Sequence, residues 1–192
     1  LKDVSATQYP DGFDKYAGTV TATETVTLDN YRVENAPVSV VAKNLALVNG
    51  SKASLNSARL TGNGSINLTA GTELSSQSIT CSGATKLTGA GTLAVTGVPA
   101  NLTLDSAWSG TVRVSDTYVE NLEFDKLAQG DSILELNGFS GWNKNWNGSN
   151  TQNIRLTDSG SKVAWENSAY SRDPYEGVYS GDWSGEGTLV MY

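Results

Sequence analysis

The 192-residue chain has no histidine, one cysteine, one methionine and four prolines, and only 17% of its residues are charged. Each scarcity closes off a chemistry. Without histidine there is no Ser-His-Asp triad, no imidazole general base and no His-ligated metal. A lone cysteine, Cys81, cannot build an internal disulfide framework. In "SQSITCSGAT" it reads as a small buried strand residue rather than a nucleophile. The 13 Lys and Arg are scattered singly against 20 Asp and Glu, giving a net charge of -7. No basic patch is available to neutralise phosphates, so nucleic acid is not an expected partner. No run of 18 apolar residues occurs, so no transmembrane segment is expected in this piece. The opening "LKDVSATQYPDGFD" has neither an initiator Met nor the pattern of a signal peptide. We expect the chain to be a piece of a larger parent chain.

What is abundant is Thr, Ser, Asn and Gly, the composition of β-strands joined by tight turns. Such chains are common on bacterial surfaces. The Asn-X-Ser/Thr sequons at Asn49, Asn63, Asn67, Asn101 and Asn147 are expected by chance in such a composition. Apolar residues alternate with polar ones at Leu45/Leu47, Ile66/Leu68, Leu93/Val95, Leu102/Leu104, Val112/Val114, Leu122/Phe124, Leu134/Leu136 and Ile154/Leu156. Period two predicts strands with one dry face, and no window sustains helical spacing. The chain is expected to be all-β.

Between Tyr31 and Trp108 there is no Phe, Tyr or Trp, so the core of that stretch must be narrow. A right-handed parallel β-solenoid, or β-helix, meets this condition, because each coil turns small aliphatic side chains inward onto the next. An antiparallel β-sandwich with Gly-Thr hairpins is the alternative. The phrase "LTGNGSINLTAG" at 60–71 returns about 27 residues later as "LTGAGTLAVTG". We expect the phrase to recur because the coil recurs, with Gly62/Gly64 and Gly89/Gly91 at a corner.

"GAGTLAVTG" at 89–97 followed by "AWSGTVRVS" at 107–115 resembles the autotransporter-associated β-strand repeat of bacterial surface proteins. Parts recur in "SGEGTLVMY" (Gly185, Gly187, Thr188, Leu189), in "TGNGSINLT" and in "KYAGTVTA" (Tyr16, Gly18, Thr19, Val20). The one full copy covers about 30 residues. The resemblance implies coils of a right-handed parallel β-helix in a secreted or surface-anchored protein, as a passenger-type stalk or adhesin segment.

All five tryptophans, Trp108, Trp142, Trp146, Trp165 and Trp183, follow residue 107, together with Tyr170, Tyr175 and Tyr179. This shift divides the chain into a lead-in (1–16), solenoid coils (17–137) and an aromatic-rich C-terminal cap or loop subregion (138–192). Aromatics there would close an open solenoid end. They also suit carbohydrate: Trp142, Trp146, Tyr175 and Trp183 offer flat faces to sugar rings, while Asn143, Asn145, Asn147 and Asp182 offer partners to hydroxyls. A host or environmental glycan is then the candidate ligand.

Catalysis would have to rest on a carboxylate pair drawn from Asp158, Glu166, Asp173, Glu176, Asp182 and Glu186, and spacing selects no pair. No catalytic residue and no metal or other cofactor is expected; "DPYEG" and "PDGFD" read as Asp-containing turns before they read as calcium sites. No Lys is singled out for an isopeptide bond. The expectation is a non-catalytic structural or adhesive module of a secreted or surface-displayed bacterial protein. A carbohydrate-binding module is the second reading and a polysaccharide-acting enzyme the third.

Overall fold

A computed structural model describes residues 18–33, 38–96, 99–115, 118–119, 127–137, 140–143, 153–157, 162–165, 183–186 and 188–191. They form an all-β chain without helix, whose strands pair in parallel as a β-solenoid. The antiparallel sandwich is thereby excluded. The chain divides into two compact units, 1–110 and 111–192.

In the first unit each coil has three faces. The first face carries β1 (Gly18–Thr21), the leading half of β4 (Val38–Val48), the leading half of β6 (Ser57–Leu68) and β8 (Ile79–Cys81). On the second lie β2 (Thr25–Asp29), the trailing halves of β4 and β6, β9 (Thr85–Gly89) and β11 (Leu102–Leu104). The third holds β3 (Arg32–Val33), β5 (Lys52–Leu55), β7 (Glu73–Ser76) and β10 (Thr92–Val95).

Parallel register turns the alternating sequence into vertical columns. Val26, Leu45, Ile66, Leu87 and Leu104 stack in one, and Leu28, Leu47 and Leu68 in another. On the third face Ala53, Leu74 and Leu93 stack in the same way. All but the half-buried Leu104 are buried. Each such aliphatic side chain contributes about 1.5–3 kcal/mol, so stability is spread over many similar terms. Large aromatics are unnecessary inside such a column: Tyr31 belongs to the first described coil, Trp108 follows β11, and both are buried.

The repeated phrase does not measure the coil. Its two copies are about 27 residues apart, whereas Gly64 pairs with Thr85 and Ile66 with Leu87, 21 residues on. Gly62 and Gly64 turn the chain from the first face to the second; Gly89 and Gly91 turn it from the second to the third. The phrase is a corner followed by a strand, and a three-faced coil uses that combination at more than one corner. Glycine is needed at such points because the backbone runs against the coil before it: a Cβ on Gly64 would strike the Lys43 carbonyl, and one on Gly89 the Leu68 carbonyl.

The second unit contains two parallel ladders. One is β12 (Thr111–Ser115), β14 (Ile133–Asn137), β16 (Asn153–Leu156) and β18 (Trp183–Gly185). The other is β13 (Tyr118–Val119), β15 (Ser140–Asn143), β17 (Lys162–Trp165) and β19 (Thr188–Met191). Val112, Leu134 and Ile154 form one buried column, and Val114, Leu136 and Leu156 a second. Every alternating pair read from sequence is accounted for except Leu122/Phe124, which lies outside the described residues.

Candidate functional site

The polar side chains divide into corner groups and outward columns, and most of those with a defined geometry bond to the next coil. Asn44, outward on β4, links three coils. Its Oδ1 accepts from the Ser65 N–H at 3.0 Å and the Ser65 hydroxyl at 3.2 Å, and its Nδ2 donates to Thr25 Oγ1 at 3.4 Å. The fully buried Ser51 accepts from the Tyr31 N–H at 2.9 Å and turns its own hydroxyl to the Val48 and Leu28 carbonyls at 2.7 and 2.9 Å. A buried hydroxyl without such partners would cost about 1–3 kcal/mol.

Hydroxyls elsewhere repeat one geometry. Thr69 Oγ1 donates to the Leu47 carbonyl and Ser82 Oγ to the Leu60 carbonyl, both at 3.2 Å, and Thr88 Oγ1 to the Ile66 carbonyl at 3.4 Å. In the second unit Thr157 Oγ1 reaches the Leu136 carbonyl at 3.2 Å. Each donor addresses a carbonyl 21 or 22 residues earlier, one coil back. Three of the sequon asparagines also bond from coil to coil: Asn49 Nδ2 donates to Asp29 Oδ1 at 2.6 Å, Asn63 Oδ1 accepts from the Ala84 N–H at 3.1 Å, and Asn101 Nδ2 donates to the Cys81 carbonyl at 2.9 Å.

Ion pairs also cross from coil to coil. Lys43 meets Glu24 at 3.4 Å, Lys86 meets Asp105 at 3.3 Å, and Arg113 Nε meets Glu135 Oε1 at 3.0 Å. The first is exposed on both sides and worth at most about 1 kcal/mol. Glu135 is buried and lies in register between Arg113 and Arg155. The Ala107 N–H, followed by Lys86, holds the Asp105 carboxyl below its ordinary range.

Cys81 sits in the column after Ala42 and Leu60 and is half-buried. Burial pushes its thiol pKa up, partly offset by a contact with Thr85, so the protonated form prevails near neutral pH. Among the described residues no group of three or more Cys, Asp and Glu could hold a metal ion. "DPYEG" and "PDGFD" fall outside those residues.

The expected carbohydrate residues are distributed as follows. Trp142 and Asn143 are consecutive on β15, in register with Ala164 and Trp165 of β17. Trp183 opens β18 in the other ladder, in register with Ile154. The backbone therefore brings two of the candidates onto one strand and leaves the third on a separate ladder. Trp146, Asn145, Asn147, Tyr175 and Asp182 lie outside the described residues, as do Asp158, Glu166, Asp173 and Glu176. Glu186 is exposed just after β18, and its N–H bonds to the Leu156 carbonyl at 2.9 Å. The expected aromatic cap over 138–192 is not shown: the described strands of that stretch, β15 to β19, continue the two parallel ladders.

Composition identified hydroxyls and amides as plentiful but not their targets. The signal that could have found the hydroxyl targets is a spacing of 21 or 22 between Ser or Thr and an apolar strand residue, which the looser 27-residue echo obscures. No family model, curated protein or solved structure matches the chain.

Proposed function

We propose that the chain is a non-catalytic structural module, a stalk-like segment of a secreted or surface-displayed bacterial protein that spaces or presents adhesive regions. One observation carries this reading: the Ser and Thr hydroxyls that composition offers to a ligand are directed at the carbonyls of the preceding coil, at Thr69, Ser82, Thr88 and Thr157. Each bond is worth about 0.5–1.5 kcal/mol. Together with the aliphatic columns they make the coil-to-coil contact the main use of this sequence. The corner-and-strand phrase at 89–97, which resembles the autotransporter-associated repeat, serves the same end, with Gly89 and Gly91 against the coil beneath and Leu93 and Val95 in the core.

The test is a screen of the purified chain against neutral host and plant glycans, with Trp142→Ala in parallel and circular dichroism as the fold control. A scaffold gives no Trp142-dependent binding. Binding to a neutral glycan that disappears in folded Trp142→Ala would replace this reading with that of a carbohydrate-binding module.

A further inference from the structure

We infer that the third face of the first unit carries an anion site formed by Arg32, Lys52 and the Asn49–Gly50 turn, suited to the carboxylate or sulfate groups of an acidic polysaccharide. Arg32 and Lys52 are register partners on adjacent parallel strands, and both side chains are exposed. Their backbones are about 4.8 Å apart, and like charges directly opposite across strands disfavour the pairing. The chain has carboxylates to spare, 20 against 13 cations, and it supplies them to Lys43, Lys86 and Arg113. Neither Arg32 nor Lys52 makes an ion pair among the described residues. Asp29, the carboxylate at the preceding corner, accepts instead from Asn49 at 2.6 Å.

The turn beside this pair is open. Asn49 and Gly50 have φ of 54° and 69°, and the Ser51 N–H donates to the Val48 carbonyl at 3.2 Å, as in a type I′ turn. The Gly50 N–H has no acceptor among the described residues. Among the described residues a Cβ on Gly50 would meet only Arg32 Nη2, at 3.4 Å, so the guanidinium borders space that no described side chain fills. A planar guanidinium presents paired N–H groups that match two oxygens of a carboxylate or sulfate, and the neighbouring ammonium adds a second charge. On the far side Glu73 is in register with Lys52 and limits the site to one edge. The hydroxyls that carry the scaffold reading, on Thr69, Ser82, Thr88 and Thr157, are separate from the cations Arg32 and Lys52, so either reading can fail alone.

Titration of the intact chain with oligogalacturonate, a heparin-derived oligosaccharide, inorganic sulfate and neutral dextran tests the site at low and high salt. Expected is binding to one or both acidic oligosaccharides, none to dextran, and loss of binding as salt screens the charges. Arg32→Ala and Lys52→Ala should each weaken it by about tenfold, Glu73→Gln should strengthen it, and Arg59→Ala, an exposed cation on the first face, should leave it unchanged. The two oligosaccharide arms distinguish carboxylate from sulfate. The inference is overturned by failure of both acidic oligosaccharides to bind, whether or not free sulfate does. It is equally overturned by binding that Arg59→Ala reduces as much as folded Arg32→Ala and Lys52→Ala do.

Discussion

A solenoid held by stacked columns should transmit a core defect to the adjacent coil and little further, which makes coupling between substitutions a direct probe of the architecture. Leu87 is fully buried, between Ile66 and Leu104 in one column. Leu87→Ala should cost about 2–5 kcal/mol and Ile66→Val about 0.5–1.5 kcal/mol. These two residues are one coil apart, about 5 Å, so a double-mutant cycle should show an interaction of at least about 0.5 kcal/mol. Val26 heads the same column three coils from Leu87, about 14 Å away. Val26→Ala combined with Leu87→Ala should be additive within about 0.5 kcal/mol. Urea titrations followed by far-ultraviolet circular dichroism supply the energies, with unchanged slopes as the condition for comparing them. Equal coupling for the near and distant pairs would refute nearest-neighbour stacking and indicate a single shared core.

Three further outcomes follow from particular residues. Trp108 is 2% exposed and its Nε1 has no hydrogen-bond partner among the described residues; losing that orphan donor offsets much of the lost volume, so Trp108→Phe should change stability by less than about 1.5 kcal/mol, against about 3–5 for Trp108→Ala, read by thermal melting. Gly89→Ala should destabilise more than Gly71→Ala: both have positive φ, 98° and 76°, but only Gly89 has a carbonyl where the Cβ would go, and the Gly71 change should cost only about 1–2 kcal/mol. For Asp105, whose carboxyl is held low in the fold by the Ala107 N–H and then Lys86, the stabilisation is full above the unfolded carboxyl value near about 3.9 and is lost as pH falls through the lower folded value. Asp105→Asn should narrow the stability difference between neutral and strongly acidic pH; an unchanged difference in acid-unfolding curves would contradict the assignment.

Much of this fold is legible in the sequence because period two maps onto burial residue by residue. Leu45/Leu47, Ile66/Leu68, Val112/Val114 and Ile154/Leu156 are all buried, as alternation predicts. The aromatic-free interval between Tyr31 and Trp108 likewise matches a narrow aliphatic core. Register is not legible in the same way. Alternation fixes which residues face inward but not which coil each one meets, and coils vary in length: Gly64 pairs with Thr85, whereas Thr85 pairs with Leu102. A glycine pair announces a corner without saying which one, so the phrase at 60–71 and its echo suggested a period that the fold does not have. The outward groups were harder still. An Asn or Thr on a strand has the same appearance in sequence whether it awaits a sugar or bonds to the coil before it, and only register separates Asn44, which joins three coils, from a free amide.

The central claim, a parallel solenoid in which outward residues about 21 positions apart are neighbours, is tested most directly by disulfide cross-linking in a Cys81→Ser background. Asn67 and Thr88 are register partners on the second face, whereas Ala94, 27 residues after Asn67, lies on the third. Under mild oxidation the pair Asn67→Cys with Thr88→Cys should close rapidly in the folded protein, and Asn67→Cys with Ala94→Cys should not. Closure of the second pair in preference to the first would contradict the register on which the coil contacts, the hydroxyl bonds and the scaffold reading depend.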